Sequence, residues 1–472
     1  MADLRIFAAL LRFLFTRNCL GGMTRRPKRV YASDMAYDAP SRRDFLKWTA
    51  GTAAGSILPS WFAAEEAGLS AEAVLAQPRR IGPNDTIRIA VIGPGGSQGG
   101  FRQGLGVTRW MAGKKGVQVT AVCDVDSVHL DEAAAAFPGS KKFKDYRELI
   151  AAKVCDAVVI GTPDHWHLQQ CVDAMNAGLD VYCEKPLTLA IKQGRMIADV
   201  AKKRKRIFQT GSQQRSDGRF RLACELVRTD AIGKVLRAEV VLPTGPSGGP
   251  FAKTPVPQNL DWNMWLGPAP YNDYIKERVH GSFRWWLDYS GGMLTDWGAH
   301  HFDIALWGLG LDGSGPTTIT AEGTPPGQVG DAYYTTFPKF KGVLGTPKGT
   351  KIHYTNEGEN GVKFVGTDGW IFVNRGKIEA SDPAILQEPI PDGAERLYRS
   401  DDHVQNFIDG IRTRKECICT AEVGHRSISV SHLINTCLRL GGRPLTWDPA
   451  KEVFVNDAEA NLFVDRPQRK WD

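Results

Sequence analysis

The sequence predicts an α/β protein with two folded parts. The first is a doubly wound parallel sheet; the second is an α+β domain with an open, largely antiparallel sheet. Three observations carry this reading. Between residues 87 and 210, β-rich runs alternate with helical segments at the spacing of βαβ units. The first of those runs ends in a glycine-rich loop. From Thr317 to Phe372 the helical patterns give way to short β-prone runs, such as Tyr333–Phe337 and Lys351–Tyr354, separated by Gly, Pro and Asn. A length of 472 residues suits two to three domains, and 42% hydrophobic with 24% charged residues suffices for large cores. The expected division is 1–80 leader and linker, 81–208 the parallel-sheet domain, 209–445 the α+β domain, and 446–472 a polar tail packed on the surface.

The leader does not read as a domain. Ser41-Arg42-Arg43-Asp44-Phe45-Leu46-Lys47 has the form of a twin-arginine export signal. A small-residue apolar stretch follows from Trp48 to Ala64, and Val74-Leu75-Ala76 offers a cleavage site. Gly51, Gly55, Pro59 and Ser60 argue against a lone membrane anchor. Met35, just ahead of the signal, offers an alternative start. The expectation is a periplasmic or exported protein carried by the twin-arginine (Tat) translocon. The net charge of +7 shrinks to +4 beyond residue 76, since 1–76 hold ten Lys/Arg against seven Asp/Glu. So small an excess over nearly 400 residues does not imply nucleic acid. The basic run Lys202–Arg206 follows a helical segment and reads as a solvated helix end. Nine cysteines are scattered without zinc spacing, so neither a structural metal nor a disulfide framework is expected.

Ile87–Ile92 is the first strand. Gly93-Pro94-Gly95-Gly96-Ser97-Gln98-Gly99-Gly100 follows at once, then a helix. Strand, glycine loop and helix form the context of a dinucleotide fingerprint, in which the backbone approaches a pyrophosphate at a helix N-terminus. The pattern departs from G-x-G-x-x-G, because Gln98 holds the third position and Gly99 comes one later. Val117–Cys123 is the second strand and ends at Asp124, where an acid can accept both ribose hydroxyls. Asp126 adds a second acid that would repel a 2′-phosphate, so NAD is favoured over NADP. A strand at Asp156–Ile160 then runs into the turn Gly161-Thr162-Pro163-Asp164-His165-Trp166-His167, followed by a helix from Leu168 to Ala177. The next strand ends in Val181-Tyr182-Cys183-Glu184-Lys185-Pro186. Pro186 disfavours a helical Lys185 and stops the strand. Glu184 and Lys185 are thereby held at a carboxyl end of the sheet, where open α/β sheets bind ligands.

These motifs resemble the Gfo/Idh/MocA oxidoreductases, whose members include glucose-fructose oxidoreductase and inositol dehydrogenases. The resemblance rests on the glycine loop, on T-P-x-x-x-H at Thr162–His167 and on E-K-P at Glu184–Pro186, and spans residues 85–440. It implies a Rossmann domain with a bound nicotinamide cofactor, with Thr162, Pro163, His165, His167, Glu184 and Lys185 beside the nicotinamide. It also implies that Lys185 touches substrate and cofactor, and that Gly211–Arg215, with Gln213, passes beside the cofactor.

In the second part, residues 243–270 read as a long ordered loop of the kind that binds ligands or acts as a lid. Its aromatics and those following, including Trp262, Trp265, Trp285, Trp286 and Tyr289, suit either packing onto the sheet or the C–H faces of a sugar. Asp296 and His300 in Gly291–Asp303 stand i,i+4. If helical they share a face, and the carboxylate can orient the imidazole and raise its basicity. The family resemblance pairs this D-x-x-x-H with the lysine and implies a catalytic set of Lys185, Asp296 and His300; no metal is expected there. The expected reaction is hydride transfer between tightly bound NAD(P) and a sugar, polyol or related carbohydrate hydroxyl. The alternative is an NAD-dependent glycoside hydrolase or lyase working by transient oxidation. A homo-oligomer, dimer or tetramer, is expected, as family members commonly associate through the open sheet.

Overall fold

The computed structural model describes residues 81–471 apart from Pro83, Gln98, Gly100, Gln328 and Val329. The leader and its export signal lie outside the described residues.

The first layer is a six-stranded sheet. Its strands are β1 (Ile87–Ile92), β2 (Val117–Cys123), β3 (Lys141–Phe143), β4 (Ala157–Ile160), β5 (Asp180–Cys183) and β6 (Phe208–Thr210), in spatial order β3-β2-β1-β4-β5-β6. All pairings are parallel. Parallel strands covered on both faces need apolar side chains throughout. β4 and β5 are accordingly buried at every residue. The connecting helices are α1 (Gln103–Ala112), α2 (Ser127–Ala136), α3 (Tyr146–Ala151), α4 (Asp164–Asn176) and α5 (Ile191–Arg204). Asp126 caps α2 by accepting from the Val128 amide at 2.9 Å, and Asp145 caps α3. The basic run closes α5, with Lys205 in the left-handed region (φ 53°) as its C-cap. Strand order reverses between β1 and β4, so the loops after these strands splay apart and open a crevice.

The second layer is a nine-stranded sheet. It comprises β7 (Val235–Val241), β8 (Thr318–Thr324), β9 (Lys339–Gly345), β10 (Lys351–Thr355), β11 (Gly361–Gly366), β12 (Trp370–Val373), β13 (Ile378–Ala380), β14 (Leu445–Asp448) and β15 (Val453–Phe454). The spatial order is β13-β12-β11-β7-β10-β9-β8-β14-β15. Only β7 with β10 is parallel; the other pairings are antiparallel. One face carries helices, and β10 alternates accordingly, with Ile352 and Tyr354 buried and Lys351 exposed. The covering helices are α6 (Gly218–Arg228), α9 (Gly298–Leu309) and α11 (Ala421–Arg439). Every residue of α9 is buried, because it lies between α11, α6 and the sheet. Three further helices are α7 (Trp262–Leu266), α8 (Met293–Asp296) and α10 (His403–Thr413), and α12 (Ala458–Asn461) ends the chain's regular structure.

Two expectations need correction. Residues 446–472 are not a surface tail. They supply most of β14 together with β15 and α12, and Trp447, Phe454 and Ala460 join the core of the nine-stranded sheet. The turn expected at Thr162–His167 is shorter, because α4 starts at Asp164 and carries His165 and His167 on its first turn. The aromatics of the long loop region are chiefly packing residues: Trp262, Trp265, Tyr274, Phe283, Trp286 and Tyr289 form one buried cluster.

Candidate functional site

A cavity of about 420 Å³ runs along the carboxyl ends of β1, β2, β4 and β5 and is closed on its far side by the second domain. At one end stand Asp124 and Asp126, and at the other Lys185, Asp296 and His300. Gly93, Gly95, Thr162, Pro163, Glu184 and Gln213 line the path between them. Ten of the fifteen site residues singled out from the sequence therefore share one cavity, with Asp126 beside them.

The glycine loop owes its shape to close contacts. Gly93 and Gly95 have φ of 70° and 69°. A Cβ on Gly93 would come within 2.6 Å of the Thr162 side chain, and one on Gly95 within 2.4 Å of the Phe101 carbonyl oxygen. The third close approach is made by Gly104, which sequence reasoning missed. Its Cβ would lie 2.5 Å from the Gly93 oxygen, so the first turn of α1 presses directly on the strand ends. Only spacing from the helix start could have found it. Gly96 instead faces His129, whose ring a Cβ would strike at 2.4 Å. Ser97 turns to Glu132, which accepts from both its amide and its hydroxyl. Neither Gly96 nor Ser97 lines the cavity, and Gln98 lies outside the described residues.

Asp124 is buried; its Oδ1 accepts from the Asp126 amide at 2.9 Å, and burial pushes its carboxyl up to about 6. Asp126, His129 and His280 bring one ligand atom each within 4.8 Å of one another, the one such grouping among the described residues that could hold a metal. Among the described residues Asp126 Oδ2 and His129 Nε2 are buried without hydrogen-bond partners, although Asp126 Oδ2 lies 3.8 Å from His280 Nε2. These unmet atoms lie beside the glycine loop and Asp124, and their acceptor and donor capacity fits the hydroxyls and pyrophosphate of a dinucleotide. A segment of the second domain is laced to this end. Ser127 N donates to Asn259 O (2.8 Å), Asp261 N donates to Val125 O (3.1 Å), and Asn259 Nδ2 reaches Asp126 Oδ1 (2.9 Å).

His165 and His167 do not line the cavity. His165 Nε2 lies 3.0 Å from the Trp265 carbonyl, tying α4 to the aromatic cluster. His167 braces two loops, with Nε2 2.8 Å from Thr162 O and Nδ1 2.9 Å from Pro186 O. The imidazoles were expected at the nicotinamide, but the first turn of α4 aims them at backbone carbonyls instead. Asp164, unremarked in the sequence, does line the cavity; it accepts from Ser290 Oγ at 2.6 Å, and burial pushes it up to about 7. Glu184 is buried, accepts from Gln103 Nε2 at 3.2 Å, and is raised by burial.

At the inner end the expected Asp296–His300 contact is replaced by another. The helix breaks at Trp297, so Asp296 closes α8 while His300 belongs to α9. Asp296 Oδ1 accepts from Lys185 Nζ at 2.8 Å and from Arg284 Nε at 3.1 Å. Lys185 also donates to the Asp296 carbonyl at 3.1 Å. Burial works against ionisation of Asp296, but Lys185 and Arg284 hold it below the usual carboxylate range. Two charged donors outcompete a neutral ring for one carboxylate. His300 Nε2 instead lies 2.9 Å from Arg375 NH2, and among the described residues its buried Nδ1 has no hydrogen-bond partner. A guanidinium only donates, so Nε2 accepts and Nδ1 carries the proton. Burial, then the charges of Lys185 and Arg375, push His300 well below its ordinary value. The imidazole is therefore neutral. Arg284 and Arg375 were not anticipated, since neither sits in a recognisable motif.

Comparisons with known proteins agree with this architecture. A family model for the NAD-binding Rossmann fold of an oxidoreductase family matches residues 87–212, and the model for that family's C-terminal alpha/beta domain matches 248–472. A model of the twin-arginine translocation pathway signal sequence matches 39–59. Among relatives, a glycosyl hydrolase family 109 protein of Shewanella pealeana is 29% identical over 219 residues, covering 42% of this chain and 45% of that protein. An inositol 2-dehydrogenase of Leifsonia xyli subsp. xyli is 29% identical over 197 residues, 38% of this chain and 58% of that protein. The chain spans about half the length of the curated relatives it matches. The crystal structure of aldose-aldose oxidoreductase from Caulobacter crescentus complexed with glycerol superposes with a TM-score of 0.57 at 18% identity, covering 76% of this chain and 99% of that one. Fold, cavity and both family models converge: the chain belongs to the Gfo/Idh/MocA oxidoreductase family.

Proposed function

We propose that this protein is an exported oxidoreductase that uses tightly held NAD to oxidise or reduce a hydroxyl-bearing carbon of a sugar or polyol. The observation that carries the reading is the shared cavity. A lysine from the nucleotide-binding half and an imidazole from the other half line one space with the glycine loop and Asp124. The backbone at Gly93 and Gly95 would hold the pyrophosphate, Asp124 the ribose hydroxyls, and Thr162, Pro163, Glu184 and Gln213 the nicotinamide end. The paired acids Asp124 and Asp126 favour NAD over NADP, because a 2′-phosphate would meet like charge. When bound, the cofactor supplies the hydride acceptor or donor.

The chain's own groups manage the proton and the developing oxygen charge. His300 is neutral and takes the hydroxyl proton at Nε2 once the Arg375 N–H yields that position. Lys185 has three N–H donors, and the Asp296 carboxylate and carbonyl take two. The third is left for the substrate oxygen, stabilising it as it becomes alkoxide and then carbonyl. Asp296 thus serves Lys185, not His300, by fixing its direction. Lacing of residues 259–261 over the Asp126 end supports a cofactor that stays on the protein, as an exported enzyme needs where free NAD is scarce. The outer face of the nine-stranded sheet is the surface on which copies of the chain would associate.

The test is direct. Lys185→Met and His300→Ala should each lower turnover about 10²–10⁴-fold while the protein stays folded. Denaturing purified protein should release nicotinamide. Wild-type turnover in the double variant, or no nicotinamide in the supernatant, refutes the reading. The match to a glycosyl hydrolase family 109 protein favours one second reading, net glycoside hydrolysis through transient oxidation. Release of free sugar from chromogenic glycosides without accumulation of NADH would establish it instead.

A further inference from the structure

Of the charged side chains at the inner end of the cavity, Arg375 is the one whose charge is left over. It sits at the tip of the β12–β13 hairpin, a tight turn in which Asn374 Oδ1 accepts from the amides of Gly376 and Lys377 at 2.8 and 2.9 Å. The acids nearest that turn are engaged elsewhere: Lys377 pairs with Glu359 at 3.1 Å and with Glu379 at 3.0 Å. Within the cavity, Asp296 is shared by Lys185 and Arg284, Asp164 is bonded to Ser290, and Glu184 to Gln103. Among the described residues Arg375 has no carboxylate within ion-pair distance. Its guanidinium lies 4.7 Å over the Trp297 ring and donates to His300 Nε2. A guanidinium fork is shaped for a carboxylate. Here it is spent on the neutral nitrogen that the reaction needs free.

We propose that the substrate is a sugar acid, a uronate or aldonate, whose carboxylate is bound by Arg375. The proposal rests on the oxidoreductase reading above and names its substrate class. The 2.9 Å between Arg375 NH2 and His300 Nε2 sets the spacing. A carboxylate on the guanidinium puts the hydroxyl of the α-carbon in an aldonate, or of the β-carbon in a uronate, within reach of the imidazole. Binding then does two things at once. It draws the guanidinium from His300 Nε2 and frees that lone pair for the hydroxyl proton. It also sets the sugar against the Trp297 face. A neutral sugar has no group strong enough to compete for Arg375, so the base stays occupied.

The test uses the full chain with its cofactor, wild type and Arg375→Gln, on pairs that differ only in the acid: glucuronate against glucose, galacturonate against galactose, and gluconate against glucitol. Wild type should prefer the acid of at least one pair by about 10- to 100-fold in kcat/KM, the scale of one charge-assisted pair. Arg375→Gln should erase that preference, mainly through KM, and Arg375→Lys should restore part of it. Calorimetric binding of the same three acids is the second readout. Equal turnover of acid and neutral partners, a preference that survives Arg375→Gln, or no binding of any acid to wild type overturns the proposal. Arg375-dependent binding of an acid with no oxidation of any pair overturns the oxidoreductase reading while leaving the anion site standing.

Discussion

Replacing Asp296 with Asn isolates what this carboxylate does. Its Oδ1 lies 2.8 Å from Lys185 Nζ and 3.1 Å from Arg284 Nε, and the Lys185 and Asp296 side chains are only 14% and 15% exposed. At an effective dielectric near 20, one such contact is worth about 6 kcal/mol of gross attraction. Desolvation offsets much of that, but removing one partner strands two cations side by side, a change that costs about 3 kcal/mol. Asp296→Asn should therefore lower the melting temperature by several degrees, with turnover down about 10²–10³-fold. The decisive assay is a double-mutant cycle in kcat/KM. If Asp296 acts by fixing Lys185, then Asp296→Asn adds little to Lys185→Met, and the two couple by about 1–3 kcal/mol. Against His300→Ala the same change should be closer to additive. Additivity with Lys185→Met, together with strong coupling to His300→Ala, would refute the geometry argued here and restore the orienting role that the D-x-x-x-H spacing suggests.

Three further outcomes follow from the site. Gly95→Ala forces a Cβ to 2.4 Å from the Phe101 oxygen at a φ of 69°; the variant should fold by circular dichroism yet purify without nicotinamide. In the proposed cofactor pose Asp124 accepts the ribose hydroxyls, so Asp124→Ala should weaken NAD about 10- to 100-fold in a fluorescence titration and narrow the proposed preference over NADP. Acid should destabilise the fold. Burial depresses His165, His280, His301 and His403 from the ordinary 6.5 to about 4. Between those values the unfolded chain binds more protons than the folded one, so stability falls as pH drops through that window. Asp124 and Asp164, pushed up from 3.8 to about 6 and about 7 by burial, act in the opposite sense. Four rings against two carboxylates leave a net loss, to be read as a melting temperature lower at pH 5 than at pH 7 in calorimetry; a higher value at pH 5 would contradict the burial of these rings.

What the sequence made legible and what it hid divide along one physical line. The strand–glycine–helix start, Asp124 at the end of β2, and Lys185 held before Pro186 are local patterns, in which neighbours along the chain dictate the conformation. The same is true of the alternation over 317–372 that marks β8 to β12, although Tyr333–Phe337, expected as one of its β-prone runs, forms no strand. Gly104 was hidden because its role comes from helix packing on the Gly93 and Gly161 backbones, not from a spacing within the loop. Arg284 and Arg375 reach the cavity from a 3-10 turn and a hairpin tip, and no periodicity marks either. The Asp296–His300 pair shows how a correct choice of residues can carry a wrong contact. Spacing of i,i+4 suggested a hydrogen bond within one helix. The break at Trp297 and a charged amine from 111 positions earlier decided otherwise, because a carboxylate beside an ammonium ion gains more than one beside a neutral ring. The consequence is mechanistic. The carboxylate that fixes Lys185 belongs to the second domain, so the cation is held in place only when the two domains close on one cavity, and an isolated nucleotide-binding domain would carry Lys185 without Asp296 to direct it.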